Sequence, residues 1–162
     1  MSKKRHVRCF DYVNHGYESV RDALGEHAVE VFASATAAAA TRAESVAATL
    51  RVDLVGLAVG TDIKISVKKI EEGRSKRAPV TRLQFDWEAA KMPRLFPFMR
   101  ADLAIYPLTK TETQLDLSGD YEPPLGALGS ALDAAVGHRI AEASVHSFVS
   151  DLADYLRRTL EG

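Results

Sequence analysis

The chain has 162 residues, 46% hydrophobic and 27% charged, the balance of one soluble globular domain with room for a sizeable core. Its 21 basic and 22 acidic side chains leave a formal net charge of -1, so no global field gathers nucleic acid or an anionic membrane. Cys9 is the only cysteine, which excludes an intramolecular disulfide, and nowhere do about 18 apolar residues run together as a membrane span requires. The expectation is a single cytoplasmic domain over 1–162, with no signal peptide, no stable membrane anchor and no nucleic-acid partner.

Lys4 to Val13 alternates as a first strand, broken by Asn14-His15-Gly16. Tyr17 to Leu24 is predicted as a short helix with Gly25 as its stop. From Glu26, Val29, Phe32, Thr36, Ala39, Ala43, Val46 and Leu50 recur at three- and four-residue intervals, one face of a second helix. Its run ATAAAATRAESVAA suits a helix packed closely on a neighbour, since alanine forms helix at no side-chain entropy cost.

The period then changes to two. Val52 and Leu54 flank Asp53, Gly60-Thr61-Asp62 makes a turn, and Ile63, Ile65 and Val67 alternate with Lys64, Ser66 and Lys68. After a charged segment, Glu71 to Pro79, the residues Leu83, Phe85 and Trp87 alternate with Gln84, Asp86 and Glu88. Lys91 to Pro97 carries two prolines and reads as a loop. Met99, Ala101, Leu103 and Ile105 share a face, the turn Thr109 to Glu112 follows, and Leu115 and Leu117 continue the antiparallel meander. Tyr121-Glu122-Pro123-Pro124 stops the last strand, and everything from about Gly126 to Leu160 reads as one helix.

Advancing each residue of that helix by about 100° puts Ala131, Ala134, His138, Ala141, Val145, Phe148, Val149, Leu152, Tyr155 and Leu156 on one stripe, which should face the sheet. The C-terminal half of the stripe is large enough to fill a core. The N-terminal half is alanine with one histidine, too short to reach a curved sheet about 10 Å away. Opposite it the sheet offers Phe85, Trp87, Leu103, Ile105, Leu115 and Leu117. Either the helix sits very close there, or helix and sheet enclose an apolar cavity.

The order of strand, helix pair, meander and long helix covers nearly the whole chain. With the passage Tyr121, Pro123, Pro124, Gly126, Gly129 and Asp133, followed by Gly137 to Val145, it resembles the START-like, helix-grip superfamily (SRPBCC), which includes polyketide cyclases and pollen-allergen-like ligand carriers. The resemblance implies an α+β fold: six to seven antiparallel strands wrapped around the long C-terminal helix, and two shorter helices after the first strand. It also implies an apolar tunnel for lipids, polyketides or other hydrophobic molecules. Six strands are visible in the pattern, so a seventh requires a bulge or break within Arg51 to Glu72.

Chemistry has few candidates. His138 is the one ionisable group on the small half of the stripe, and an imidazole is suited to proton transfer or hydrogen bonding near neutral pH. Of Tyr12, Tyr106 and Tyr121, the last shares its parity with Leu115 and Leu117 and is the best placed to aim a hydroxyl inward. His138, Glu142 and His146 follow at four-residue steps, but the outer two stand about 12 Å apart along the axis and cannot share one metal ion. No nucleophile elbow, P-loop, dinucleotide fingerprint or zinc-protease motif occurs, so no cofactor is expected.

The expected ligand-binding set is Phe85, Trp87, Leu103, Ile105, Leu115, Leu117, Tyr121, Ala134, His138 and Ala141. The first functional reading is binding or transport of a hydrophobic small molecule. The second is a cyclase or dehydratase using His138 and Tyr121 as catalytic candidates, and the third an interaction module with a vestigial cavity. Leu132, Val136, Ile140 and Ala143 form a second apolar row, which needs either cover from the first helices and the loop Lys91 to Phe98 or a homodimer partner.

Overall fold

A computed structural model describes residues 5–49, 63–75, 78–89, 99–121 and 134–161. In β1 (Arg5–Val13) the alternation is realised directly: Val7, Cys9 and Val13 are buried, while His6, Arg8, Phe10 and Tyr12 face solvent. The chain turns at residues 14–16 into α1 (Tyr17–Glu26) and α2 (Ala28–Thr49). Then come β2 (Ile63–Ser75), β3 (Ala78–Ala89), β4 (Met99–Thr109) and β5 (Glu112–Tyr121), and α3 (Ala134–Glu161) closes the order.

Among the described residues the sheet has five antiparallel strands in the order β1-β5-β4-β3-β2, in place of the six to seven expected. The strand expected at Val52 and Leu54 lies outside the described residues, as do the loop Lys91 to Pro97 and the passage Pro123 to Asp133. The register of β2 against β3 shifts between Val67 and Lys69, a bulge inside the span where a break was expected. β2 and β3 also run further into the charged stretch than its composition suggests, to Ser75 and from Ala78. Pairing two strand edges satisfies the backbone whether or not the side chains are apolar. A second shift, between Pro107 and Thr109, accommodates a proline that cannot donate to the ladder.

Two helix expectations are corrected. Gly25 does not stop α1: the helix passes through it, and the break falls at His27, whose backbone N–H donates to the Ala23 carbonyl. An exposed glycine with open space around it costs a helix about 1 kcal/mol, too little to end one held by buried Val20, Ala23 and Leu24. In α2 the buried face is Val31, Ala35 and Ala39 with Phe32 half-buried, whereas Val29 is 81% exposed. A helix so rich in alanine has almost the same hydrophobicity on every side, so its phase is set by its neighbour.

That neighbour is α3, along which α2 packs, while α3 also lies on β1. Val145, Phe148, Val149, Leu152, Ala153 and Leu156 of α3 are buried with Leu103, Ile105, Leu115 and Leu117 of the sheet. Phe148 is the centre of an aromatic cluster: its ring centroid is 5.1 Å from Trp87, 6.0 Å from Phe85 and 6.2 Å from Phe32. The opposite face of the sheet is laced by cross-strand pairs, notably Arg8 with Asp116 and His6 with Asp120.

Candidate functional site

Tyr121 ends β5 on the inner face, in register with Met99 of β4 and Arg5 of β1, and is 2% exposed. Strand parity decides this orientation, since Leu115, Leu117 and Tyr121 are separated by even steps. Tyr12 and Tyr106 have the other parity; Tyr12 is exposed, and the Tyr106 hydroxyl donates to Asp116 Oδ2 at 3.4 Å on the solvent side.

His138 sits near the start of α3, half-buried, and its Nδ1 is 2.5 Å from the Tyr121 hydroxyl. The two rings are nearly parallel, 12° apart in plane, with centroids separated by 6.0 Å. One helical turn on, Glu142 Oε2 lies 3.6 Å from His138 Nε2. A buried phenol, an imidazole and an exposed carboxylate thus form a line from the interior to solvent. Burial pushes the Tyr121 phenol above its ordinary range and Glu142 adds to this, while Arg5 opposes it. The phenol therefore keeps its proton at neutral pH, and its hydrogen bond with Nδ1 has a direction that the imidazole tautomer sets.

Beside this pair the sheet is lined by small residues. Gly119 and Ala101 are cross-strand partners, and both are buried. A Cβ on Gly119 would stand 2.7 Å from Met99 Sδ, so the missing side chain is what lets the methionine lie across this row. α3 passes from Val145, whose carbonyl accepts a weak bond from the Cys9 thiol at 3.6 Å, to His138 at Tyr121. Half-buried Ala141 lies between those two anchors on the helix.

Of the other expected lining residues, Leu103, Ile105, Leu115 and Leu117 are fully buried in the core. Phe85 and Trp87 are in ring contact with Phe148, in the large-residue half of α3. The side chain of Ala134 lies outside the described residues, as do those of Leu132, Val136 and Ile140, where a homodimer contact was expected; Ala143 of the same row lines a groove against α2. Among the described residues no three His, Cys, Asp or Glu side chains group to hold a metal ion. None of the described helices is long and apolar enough to cross a membrane.

A second interior polar pair escaped the sequence reading: the Tyr17 hydroxyl lies 2.5 Å from Thr81 Oγ1, joining α1 to β3. Thr81 has the inward parity of Leu83 and Phe85, which was the available signal, but nothing in the sequence pairs it with Tyr17. Cys9 is a core residue whose thiol is pushed up to about 12, chiefly by burial.

No family model and no curated protein matches the sequence. Solved structures do match in fold. The Zhui aromatase/cyclase from Streptomyces sp. R1128 superposes with a TM-score of 0.50 at 13% identity, covering 98% of this chain and 96% of that one. The di-domain ARO/CYC BexL from the BE-7585A biosynthetic pathway also gives 0.50, at 7% identity, over 98% of this chain and 50% of its own. The fold is therefore the helix-grip fold, an α+β architecture, and at such identities the likeness concerns the fold alone.

Proposed function

We propose that the protein binds a hydrophobic small molecule between the sheet and the first turns of α3, with Tyr121 and His138 as its polar anchor. The observation that carries this reading is the buried Tyr121 hydroxyl, 2.5 Å from His138 Nδ1, beside the small residues Ala101 and Gly119 and the movable Met99. Methionine is an unbranched, adaptable filler, so a ligand can displace it at little rotamer cost. The phenol can then turn its proton to a ligand carbonyl. Apolar walls with a few convergent polar groups are the usual make-up of such sites, and the aromatase/cyclase fold supports the same reading.

Trp87, the chain's only tryptophan, is 2% exposed and shares its cross-strand row with Met99. Its emission is a built-in reporter. Titration with a long-chain fatty acid and with a polycyclic aromatic ketone should shift it saturably at one ligand per chain, and native mass spectrometry of protein from its own host should reveal a released apolar compound. An empty protein that leaves Trp87 emission unchanged with both probes would sink the proposal.

The line Tyr121–His138–Glu142 favours a second reading, a cyclase-like enzyme. His138 would take the proton of a carbon acid, the resulting carbanion would attack a carbonyl carbon, and the new alkoxide would take the Tyr121 proton; His138 then returns its proton to Tyr121. His138→Ala separates the readings. A carrier keeps apolar-probe binding with roughly unchanged affinity, while an enzyme loses turnover of a poly-β-ketone substrate.

A further inference from the structure

We propose that the groove between α2 and α3 is a site for a phosphate monoester, held by Arg42 and Arg139. Two adjoining shallow clefts, open to solvent, of about 590 and 550 Å³ run along this groove and share Arg42 and Ser147 in their walls. Its lining includes small residues, Ala37 and Ala38 of α2 and Ala143 of α3, whose short side chains leave a cleft where the two helices pack. On α3, Arg139, Ala143, His146 and Ser150 recur at three- and four-residue steps and so present one continuous face to it.

The charges in the groove are unequal in their freedom. Its two carboxylates are already engaged: Asp151 Oδ2 accepts the Ser34 hydroxyl at 2.6 Å, and Glu142 Oε2 is drawn to His138 at 3.6 Å. Neither Arg42 nor Arg139 makes an ion pair or hydrogen bond with a described residue, whereas Arg8, Arg21 and Arg157 are each paired with aspartate. Two guanidiniums without a partner among the described residues, with the His146 imidazole and the Ser147 and Ser150 hydroxyls also lining the cleft, supply many donors. A dianionic group with three terminal oxygens suits that donor set, because charge-assisted bonds from arginine are short and strong. This site is independent of the interior ligand reading.

The test is a titration of the full chain with inorganic phosphate at constant ionic strength, followed by nuclear magnetic resonance at the Arg42 and Arg139 side-chain N–H groups and the His146 ring. Saturable shifts at these positions are expected. Arg42→Gln and Arg139→Gln should each weaken binding about tenfold, and Arg158→Gln, which lies over the Tyr155 ring, should not. All three arginines are exposed, so folding should be unaffected. Glycerol 3-phosphate and phosphatidic-acid vesicles then distinguish a soluble metabolite from a lipid headgroup as the source of the same chemistry. No saturable shift with phosphate or either source, or equal affinity in the Arg42→Gln/Arg139→Gln double variant, overturns the proposal.

Discussion

The two ends of the layer between α3 and the sheet are built on opposite plans. Around Phe148 the space is filled by rings, with Trp87, Phe85 and Phe32 all within 6.2 Å of it, centroid to centroid, and no hydrogen bond is needed. Around His138 the walls are small, the filler is a flexible methionine, and a phenol–imidazole bond takes the place of packing. Interlocked rings are rigid and tolerate no vacancy, so the first end anchors the fold. Small walls and a movable thioether can yield to a ligand, so the second end is where binding is expected.

Substitutions sharpen this contrast. Phe148→Ala should cost about 3–5 kcal/mol, because it removes the ring that three others share; a thermal melt showing a loss under about 1 kcal/mol would mean the anchor lies elsewhere. Alkaline unfolding should have a large Cys9 component. Folded Cys9 keeps its proton until about 12, whereas the free thiol starts from 9.0, so stability is intact below about 9 and falls as pH rises toward 12. Cys9→Ala should flatten that decline, and alkylation of native protein at pH 8 should be far slower than that of unfolded chain.

At the His138 end the effects are smaller and show in binding. Tyr121→Phe should weaken a carbonyl-bearing ligand about fivefold while leaving a saturated alkyl chain almost unaffected, since one hydrogen bond is worth about 1 kcal/mol. Equal losses for both probes would indicate that Tyr121 only shapes the wall. Gly119→Ala pushes Met99 aside and should cost about 1 kcal/mol or less in denaturant unfolding, with slower or weaker ligand uptake. Tyr106→Phe, on the solvent face, should change neither the Trp87 signal nor affinity.

Much of the candidate site's geometry was legible because its carriers lie on regular elements. Parity ranked Tyr121 first among three tyrosines, and the structure turns Tyr12 and Tyr106 outward; the 3.6-residue period put His138 on the same helix stripe as Val145 and Phe148. What could not be read was how far each side chain reaches. Phe85 and Trp87 share their strand face with the expected lining, yet Phe148 meets them because α3 approaches the sheet closest at β1 and reaches β3 through a large ring. Val29 shows the same limit in α2, where an alanine-rich surface left the helix phase open.

The sequence by itself determined the order of elements, the inward face of four of the strands, and the small-then-large gradient along the last helix, since these follow from local periodicity. Tertiary structure decided the five-strand pairing, the meeting of Tyr121 with His138, the join between Tyr17 and Thr81, and the groove where Arg42 and Arg139 face each other's helices. The Tyr121–His138 and Tyr17–Thr81 contacts join residues 17 and 64 positions apart, brought together by the angle and height at which the helices dock on the sheet, and no local pattern records that geometry.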